Sequence, residues 1–149
     1  MKTGIFGGTF NPPHIGHMIV AEHVRTEFSL DRIIFAPAAI PPHKTHQGII
    51  PAEHRIAMLR LALKDNPHFE LSAIEIQRGG VSFTVDTLRE IKSRHPLYEL
   101  FLLIGMDNLA EFKTWKSPES ILQLATVVAM TRPGVSAESV PPEMKDRVK

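Results

Sequence analysis

Short apolar runs alternate with longer stretches of helical period along the chain. Ile5-Phe6 leads into Gly7-Gly8, a buried strand closed by a glycine turn. A helix is predicted from about Ile15 to Phe28, with Val20, Val24 and Phe28 on one face. Ile33-Ile34-Phe35-Ala36 reads as a second strand ended by Pro37, and Pro37 to Gly48 as a loop. Pro51 suits the first position of a helix running to about Lys64, striped by Ile56, Leu59 and Leu63, because its missing N–H would be unpaired there anyway. Phe69-Glu70-Leu71 and Ile74-Glu75-Ile76 alternate like short strands. Thr84 can cap a helix carrying Val85, Leu88 and Ile91, with Asp86 in its first turn. Leu100 to Ile104 is a continuous apolar strand ending at Gly105. A short helix and another over Ser117 to Leu124 precede the strand Thr126 to Met130.

Strands that alternate with helices and are apolar throughout indicate a parallel sheet covered on both faces. The predicted fold class is therefore α/β, a Rossmann-like open parallel sheet. The pattern shows no internal repeat and no second domain, so residues 1–149 are expected to form one α/β domain. From Arg132 onward no period is sustained, and 133–149 is expected to be an irregular tail.

Composition narrows the function classes. Hydrophobic residues at 43% and charged residues at 22% match a globular protein and exclude a disordered chain. Seventeen basic against sixteen acidic residues leave a net charge of +1, too little to draw in a nucleic acid or an anionic membrane. With no cysteine there is no disulfide framework, zinc-thiolate site or thiol nucleophile. No run approaches a membrane span, and no signal peptide is seen, so a cytoplasmic protein is expected. Whether the chain forms a homo-oligomer is left open.

In an open parallel sheet, ligands bind at the carboxyl ends of the strands, where strand order reverses. The first strand ends in Gly7-Gly8-Thr9-Phe10-Asn11-Pro12-Pro13-His14-Ile15-Gly16-His17. Gly7 and Gly8 let backbone approach a ligand, and the helix start that follows offers free N–H groups to an anion. His14 and His17 project to one side of the first turn, and Gly16 between them leaves room for a ligand. Two imidazoles there can donate to a phosphate, and a polyphosphate would favour their protonated form. Two metal ligands are the other meaning of His-x-x-His, but no third ligand lies nearby, and no metal site is expected. Neither Gly-x-Gly-x-x-Gly nor Gly-x-x-x-x-Gly-Lys-Ser/Thr occurs. His23, His46, His54, His68 and His95 are unassigned surface candidates.

The whole string resembles the nucleotidyltransferase superfamily, marked by a first-strand turn followed by His-x-Gly-His, in the form found in bacterial nicotinate-nucleotide adenylyltransferases. Further resemblances follow in order: Pro41-Pro42-His43-Lys44, Ser82-Phe83-Thr84-Val85-Asp86-Thr87, Ile104-Gly105-Met106-Asp107, Trp115 and Arg132-Pro133-Gly134. The resemblance implies transfer of AMP from ATP to nicotinate mononucleotide, giving nicotinate adenine dinucleotide and pyrophosphate, with Mg²⁺ on the polyphosphate. It implies catalytic roles for His14 and His17. ATP would meet Gly7, Gly8, Thr9, Phe10, His14, Gly16, His17, Gly105, Asp107 and Arg132. The mononucleotide would meet Thr9, Lys44, Phe83, Thr84, Asp107, Trp115 and Lys116. Lys44 would act as a point charge on the acceptor phosphate. Asp107 is suited to a ribose hydroxyl, with a helix cap as the alternative. Trp115 would stack on the pyridine ring, with a core position as the alternative, though its flanks Lys113, Thr114 and Lys116 favour partial exposure.

Three departures qualify the resemblance. Phe83 stands where the family usually has tyrosine, and Lys116 where many members have an aromatic residue. Lys116 is expected to attract the nicotinate carboxylate. The superfamily's second signature, Ile-Ser-Ser-Thr-x-x-Arg, has no counterpart, so a C-terminally incomplete domain is expected. Two other readings follow: a shortened chain that binds the mononucleotide without turnover, and a related enzyme acting on phosphopantetheine.

Overall fold

The computed structural model describes residues 1–10, 12–39, 49–105, 109 and 111–130. The chain runs β1 (Lys2–Gly8), α1 (Ile15–Glu27), β2 (Arg32–Pro37), α2 (Ala52–Leu63), β3 (Phe69–Leu71), α3 (Ile74–Arg78), α4 (Thr84–Arg94) and β4 (Glu99–Gly105). A single 3-10 turn at Phe112–Thr114, then α5 (Pro118–Leu124) and β5 (Ala125–Met130), complete it. The tail at 133–149 lies outside the described residues.

The five strands form one sheet in the order β3-β2-β1-β4-β5, every pair parallel. Central strands of such a sheet are covered on both sides, which explains why β4 is apolar without alternation. Successive β4 residues feed opposite layers. Leu100, Leu102 and Ile104 pack with Val85, Leu88 and Ile91 of α4 and Ile121 of α5. Phe101 and Leu103 pack with Ala21 and Val24 of α1 and with Leu59 and Leu63 of α2. β1 does the same, sending Ile5 to the first layer and Phe6 to the second. The result is the predicted Rossmann-like α/β sheet with helices on both faces.

Three details differ from the sequence pattern, one of them Pro51, which is the N-cap of α2 and not its first residue. Ile74-Glu75-Ile76 forms the first part of α3, not a strand. Three residues of apolar-polar-apolar sequence fit one helical turn as well as a strand. Here the Gln77 N–H donates to the Ala73 carbonyl at 2.8 Å, and Gly79, at φ 73°, ends the turn. Thr84 is the first residue of α4 and not its cap, a role taken by the Phe83 backbone without a side-chain bond.

Strand pairing opens the sheet at one place. β1 pairs with β2 as far as Gly8↔Pro37, and β4 with β5 as far as Gly105↔Met130. Between β1 and β4 the register runs only to Phe6↔Leu103. Gly7-Gly8 and Ile104-Gly105 therefore run on beyond their last mutual pair, at the point where strand order reverses. A crevice at the carboxyl edge follows from that divergence.

Candidate active site

A cleft of about 310 Å³ occupies this crevice. β1 and its end supply Gly7, Gly8 and Thr9, while β4 supplies Leu103, Ile104 and Gly105. The opposite wall is Glu75 of α3, Ser82 and Phe83, and Thr84, Thr87 and Leu88 of α4. Thr114, Trp115 and Lys116 close the side after the 3-10 turn. A second groove of about 460 Å³ lies between α1 and α2, but it is more open and sits away from the carboxyl ends of the strands.

The glycines at the end of β1 do not serve packing. A Cβ on Gly7 would have Ala36 O as its nearest neighbour at 3.9 Å, and one on Gly8 would meet only the Phe10 ring at 3.6–4.0 Å. The fold tolerates a methyl group at both, so the room lies on the cleft side. Phe10 is different: its side chain is 3% exposed and packs 5.4 Å from the Phe6 ring and 5.1 Å from the His17 ring. Only its backbone, held at φ 48°, is left to face a ligand. That left-handed conformation costs about 1 kcal/mol or more, which the buried ring offsets.

At the start of α1 the two histidines cap the helix reciprocally. His14 is the N-cap, and its Nδ1 accepts from the Gly16 N–H at 3.1 Å. His17 reaches back, and its Nδ1 accepts from the His14 N–H at 3.0 Å. This is a capping box built from imidazoles, which satisfies two donors that a helix start otherwise leaves open. Its rings stack 3.8 Å apart. An Nδ1 that accepts a hydrogen bond carries no proton, so each ring presents its N–H from Nε2. Burial, and then the neighbouring His14 imidazole, push His17 down to about 4. With both Nδ1 atoms engaged by the backbone, the Nε2–H groups remain to donate. Gly16 is required by this cap. A Cβ there would lie 2.8 Å from His14 Cε1, so the space expected for a ligand is filled by the His14 ring.

The structure brings Gly7, Gly8, Thr9, Phe83, Thr84, Gly105, Trp115 and Lys116 to one cleft. Phe10, His14, Gly16 and His17 sit beside it on the turn into α1 and do not line it. Lys44, Asp107 and Arg132 lie outside the described residues. Trp115 is half-buried, packed 5.3 Å from the Phe112 ring. Lys116 is not a free cation: its Nζ is 3.0 Å from Asp86 Oδ2 and 4.9 Å from the centre of the Phe83 ring. Asp86 offsets the charge that was expected to draw in a carboxylate.

Two residues of the site were not singled out from sequence. Arg55, in α2, is 1% exposed, and donates from Nη1 to the Ala38 carbonyl at 2.6 Å and the Thr9 carbonyl at 3.0 Å. Its Nε donates to the Ile50 carbonyl at 2.8 Å. One guanidinium thereby ties the end of β1, the end of β2 and the entry to α2. No carboxylate among the described residues pairs with it, and burial lowers its pKa. Glu75 is the other, a carboxyl group 7% exposed in the cleft wall. Among the described residues no group of three or more His, Asp or Glu side chains could hold a metal ion.

The cytidylyltransferase-like family model matches residues 5–148. The chain belongs to that family. A Geobacter metallireducens protein named "Probable nicotinate-nucleotide adenylyltransferase" is 49% identical over 134 residues, 90% of this chain and 62% of that protein. A Bacillus pumilus protein of the same name is 44% identical over 138 residues, 93% of this chain and 73% of that protein. The chain thus spans 62% and 73% of the lengths of these two relatives. The Plasmodium falciparum nicotinic acid mononucleotide adenylyltransferase complexed with NaAD shares the fold, with a TM-score of 0.79 at 18% identity, over 94% of this chain and 71% of that one. No helix among the described residues is long and apolar enough to cross a membrane.

Proposed function

We propose that the chain transfers AMP from ATP to nicotinate mononucleotide. The observation that carries this is the cleft at the β1/β4 divergence, with glycines open to the ligand side and two Nε2–H donors beside it, in a chain 49% identical to a relative named for that reaction.

An oxygen of the mononucleotide phosphate attacks the α-phosphorus of ATP. The bond to the β-phosphate oxygen breaks, and pyrophosphate leaves with the electron pair. No protein nucleophile is required, so catalysis reduces to holding two anions in line and stabilising charge as it develops. His14 and His17 donate from Nε2 to the polyphosphate. Donors fixed by the cap need no reorganisation on binding, and a bound polyphosphate favours protonated imidazoles. Backbone at Gly7, Gly8, Thr9, Phe10 and Gly105 approaches ATP, with Gly16 keeping the cap in shape. Asp107 and Arg132 complete the ATP contacts. Thr9, Phe83, Thr84, Trp115 and Lys116 receive the mononucleotide, with Lys44 on its phosphate and Asp107 on a ribose hydroxyl. Mg²⁺ enters with ATP as part of the substrate and neutralises polyphosphate charge.

The test is pyrophosphate release from MgATP with nicotinate mononucleotide, nicotinamide mononucleotide or phosphopantetheine as acceptor. Turnover with nicotinate mononucleotide above the other two is expected. Absence of turnover with every acceptor, alongside calorimetric binding of the mononucleotide, would overturn it in favour of a binding chain.

A further inference from the structure

One buried ionisable group in the cleft has no part in the chemistry above. Glu75 reaches the wall because α3 is helical; its neighbours there are Ser82 and Thr87. Ser82 Oγ accepts from the Ala39 N–H at 2.8 Å, and Thr87 Oγ1 accepts from Arg78 Nη2 at 3.1 Å. Ser82 keeps its own O–H for the Glu75 carboxyl group, whereas Thr87 turns its single O–H toward the Phe83 carbonyl at 3.4 Å and stands beside the carboxyl group. Glu75 thus lines the cleft together with Ser82, Phe83 and Thr84.

The charges around it are few. Arg78 comes from α3 and is shared with Glu90 of α4, 3.6 Å away. Asp86 of α4 is held by Lys116, and Glu111 and Lys116 line the far side of the cleft. The cleft-lining residues of β1, β2 and β4 contribute no charged side chain. With so little compensation burial dominates, and Glu75 is pushed up to about 7.

Building on the adenylyl-transfer reading, we propose that Glu75 is a specificity-determining residue, whose charge sets which pyridine substituent the acceptor pocket prefers. A nicotinate ring carries a carboxylate, which a neutral Glu75 tolerates and an ionised one repels. A nicotinamide ring carries an uncharged amide, whose N–H groups an ionised Glu75 attracts. Preference for the acid therefore belongs to the protonated form and weakens as the carboxyl group ionises.

The experiment is the ratio of kcat/KM for nicotinate over nicotinamide mononucleotide from pH 6 to 8.5, in the wild type and in Glu75→Gln. Both acceptors bear the same phosphate, so its titration cancels in the ratio. The wild-type ratio is expected to fall about tenfold over this range, mostly through KM, and the Glu75→Gln ratio to stay level, since a like charge nearby typically costs on the order of one pKa unit or more. A level wild-type ratio overturns the assignment, and does so even where the variant fails to fold. A variant ratio that falls in parallel with the wild type overturns it equally. Failure to turn over either mononucleotide is a different result: it removes the adenylyl-transfer reading itself, and this assignment with it.

Discussion

Replacing Arg55 by methionine tests whether one buried cation holds the mouth of the cleft. The side chain is 1% exposed, and three of its hydrogen bonds, at 2.6–3.0 Å, end on the backbone carbonyls of Ala38, Ile50 and Thr9. Hydrogen bonds to a charged group are worth about 1.5–3 kcal/mol each, so the gross loss is about 5–9 kcal/mol. Removing the guanidinium also removes the cost of burying it, several kcal/mol for an ion with no charged partner. The difference leaves a net destabilisation of about 2–4 kcal/mol, arising mainly from carbonyls left without donors. For a chain of this size that is a fall in Tm of about 5–15 °C, read by circular dichroism. Arg55→Lys recovers little of it, because a single ammonium lacks the planar fork needed to reach three separate carbonyls. At a temperature where both proteins are folded, KM for both substrates should rise, since Thr9 and Ala38 both line the cleft. An unchanged Tm in Arg55→Met, or full recovery by Arg55→Lys, would refute the three-way tie.

Four further outcomes follow from the same geometry. Gly16→Ala forces a methyl group to within 2.8 Å of the His14 ring and should lower kcat/KM at least tenfold, for about 1 kcal/mol of stability lost with the cap; wild-type kinetics would contradict this. Gly8→Ala meets only ordinary contacts, so Tm should stay within about 2 °C while substrate affinity falls, and a variant that loses stability instead would assign the glycine to the fold. His17→Ala should lower kcat far more than it weakens mononucleotide binding, because charge grows on the reacting phosphate only in the transition state; equal losses would place His17 in ground-state binding. Glu75, at about 7 when folded and near 4.5 unfolded, binds its proton more tightly in the native state, so stability is lost as pH rises from about 4.5 through 7. Denaturant titrations of Glu75→Gln should therefore gain about 2–3 kcal/mol on the wild type between pH 5 and pH 8, and a constant difference would show that the carboxyl group does not titrate there.

The parts of the fold legible in sequence are those where burial dictates the pattern. β1, β2, β4 and β5 are covered on both faces, so their unbroken apolar runs announce them. The His-x-Gly-His turn was legible for a different reason, since its residue types are unusual together. Its tautomers were not, because they depend on which backbone N–H each Nδ1 meets. Arg55 and Glu75 were hidden by a shared assumption, that a charged residue marks the wet side of an element. Arg55 stands one residue before Ile56 in a helix whose stripe looks complete without it. Glu75 fell on the polar position of an apparent strand, and only the turn of α3 carries it inward. A signal existed for Arg55: with Leu59 and Leu63 it keeps the four-residue spacing of the buried face.

The strand order has a consequence for how the molecule comes into being. β1 lies against both β2 and β4, but the first neighbour arrives early in the chain and the second late. Met1 N meets Leu97 O across a separation of 96 residues, and the β1·β4 ladder begins beside it. Closing so long a loop is slow and brings no reward until the ladder forms. During synthesis β1, β2 and β3 can meet with α1 and α2 while β4 is still to come, leaving one edge of β1 and its apolar residues uncovered. The crevice cannot form before β4 is made, because that strand is one of its walls. The β4 wall of the cleft is thus the part most distant in sequence from the β1 wall it faces. A ligand that spans the divergence would favour the docked halves of the sheet by mass action, using part of its binding energy to do so.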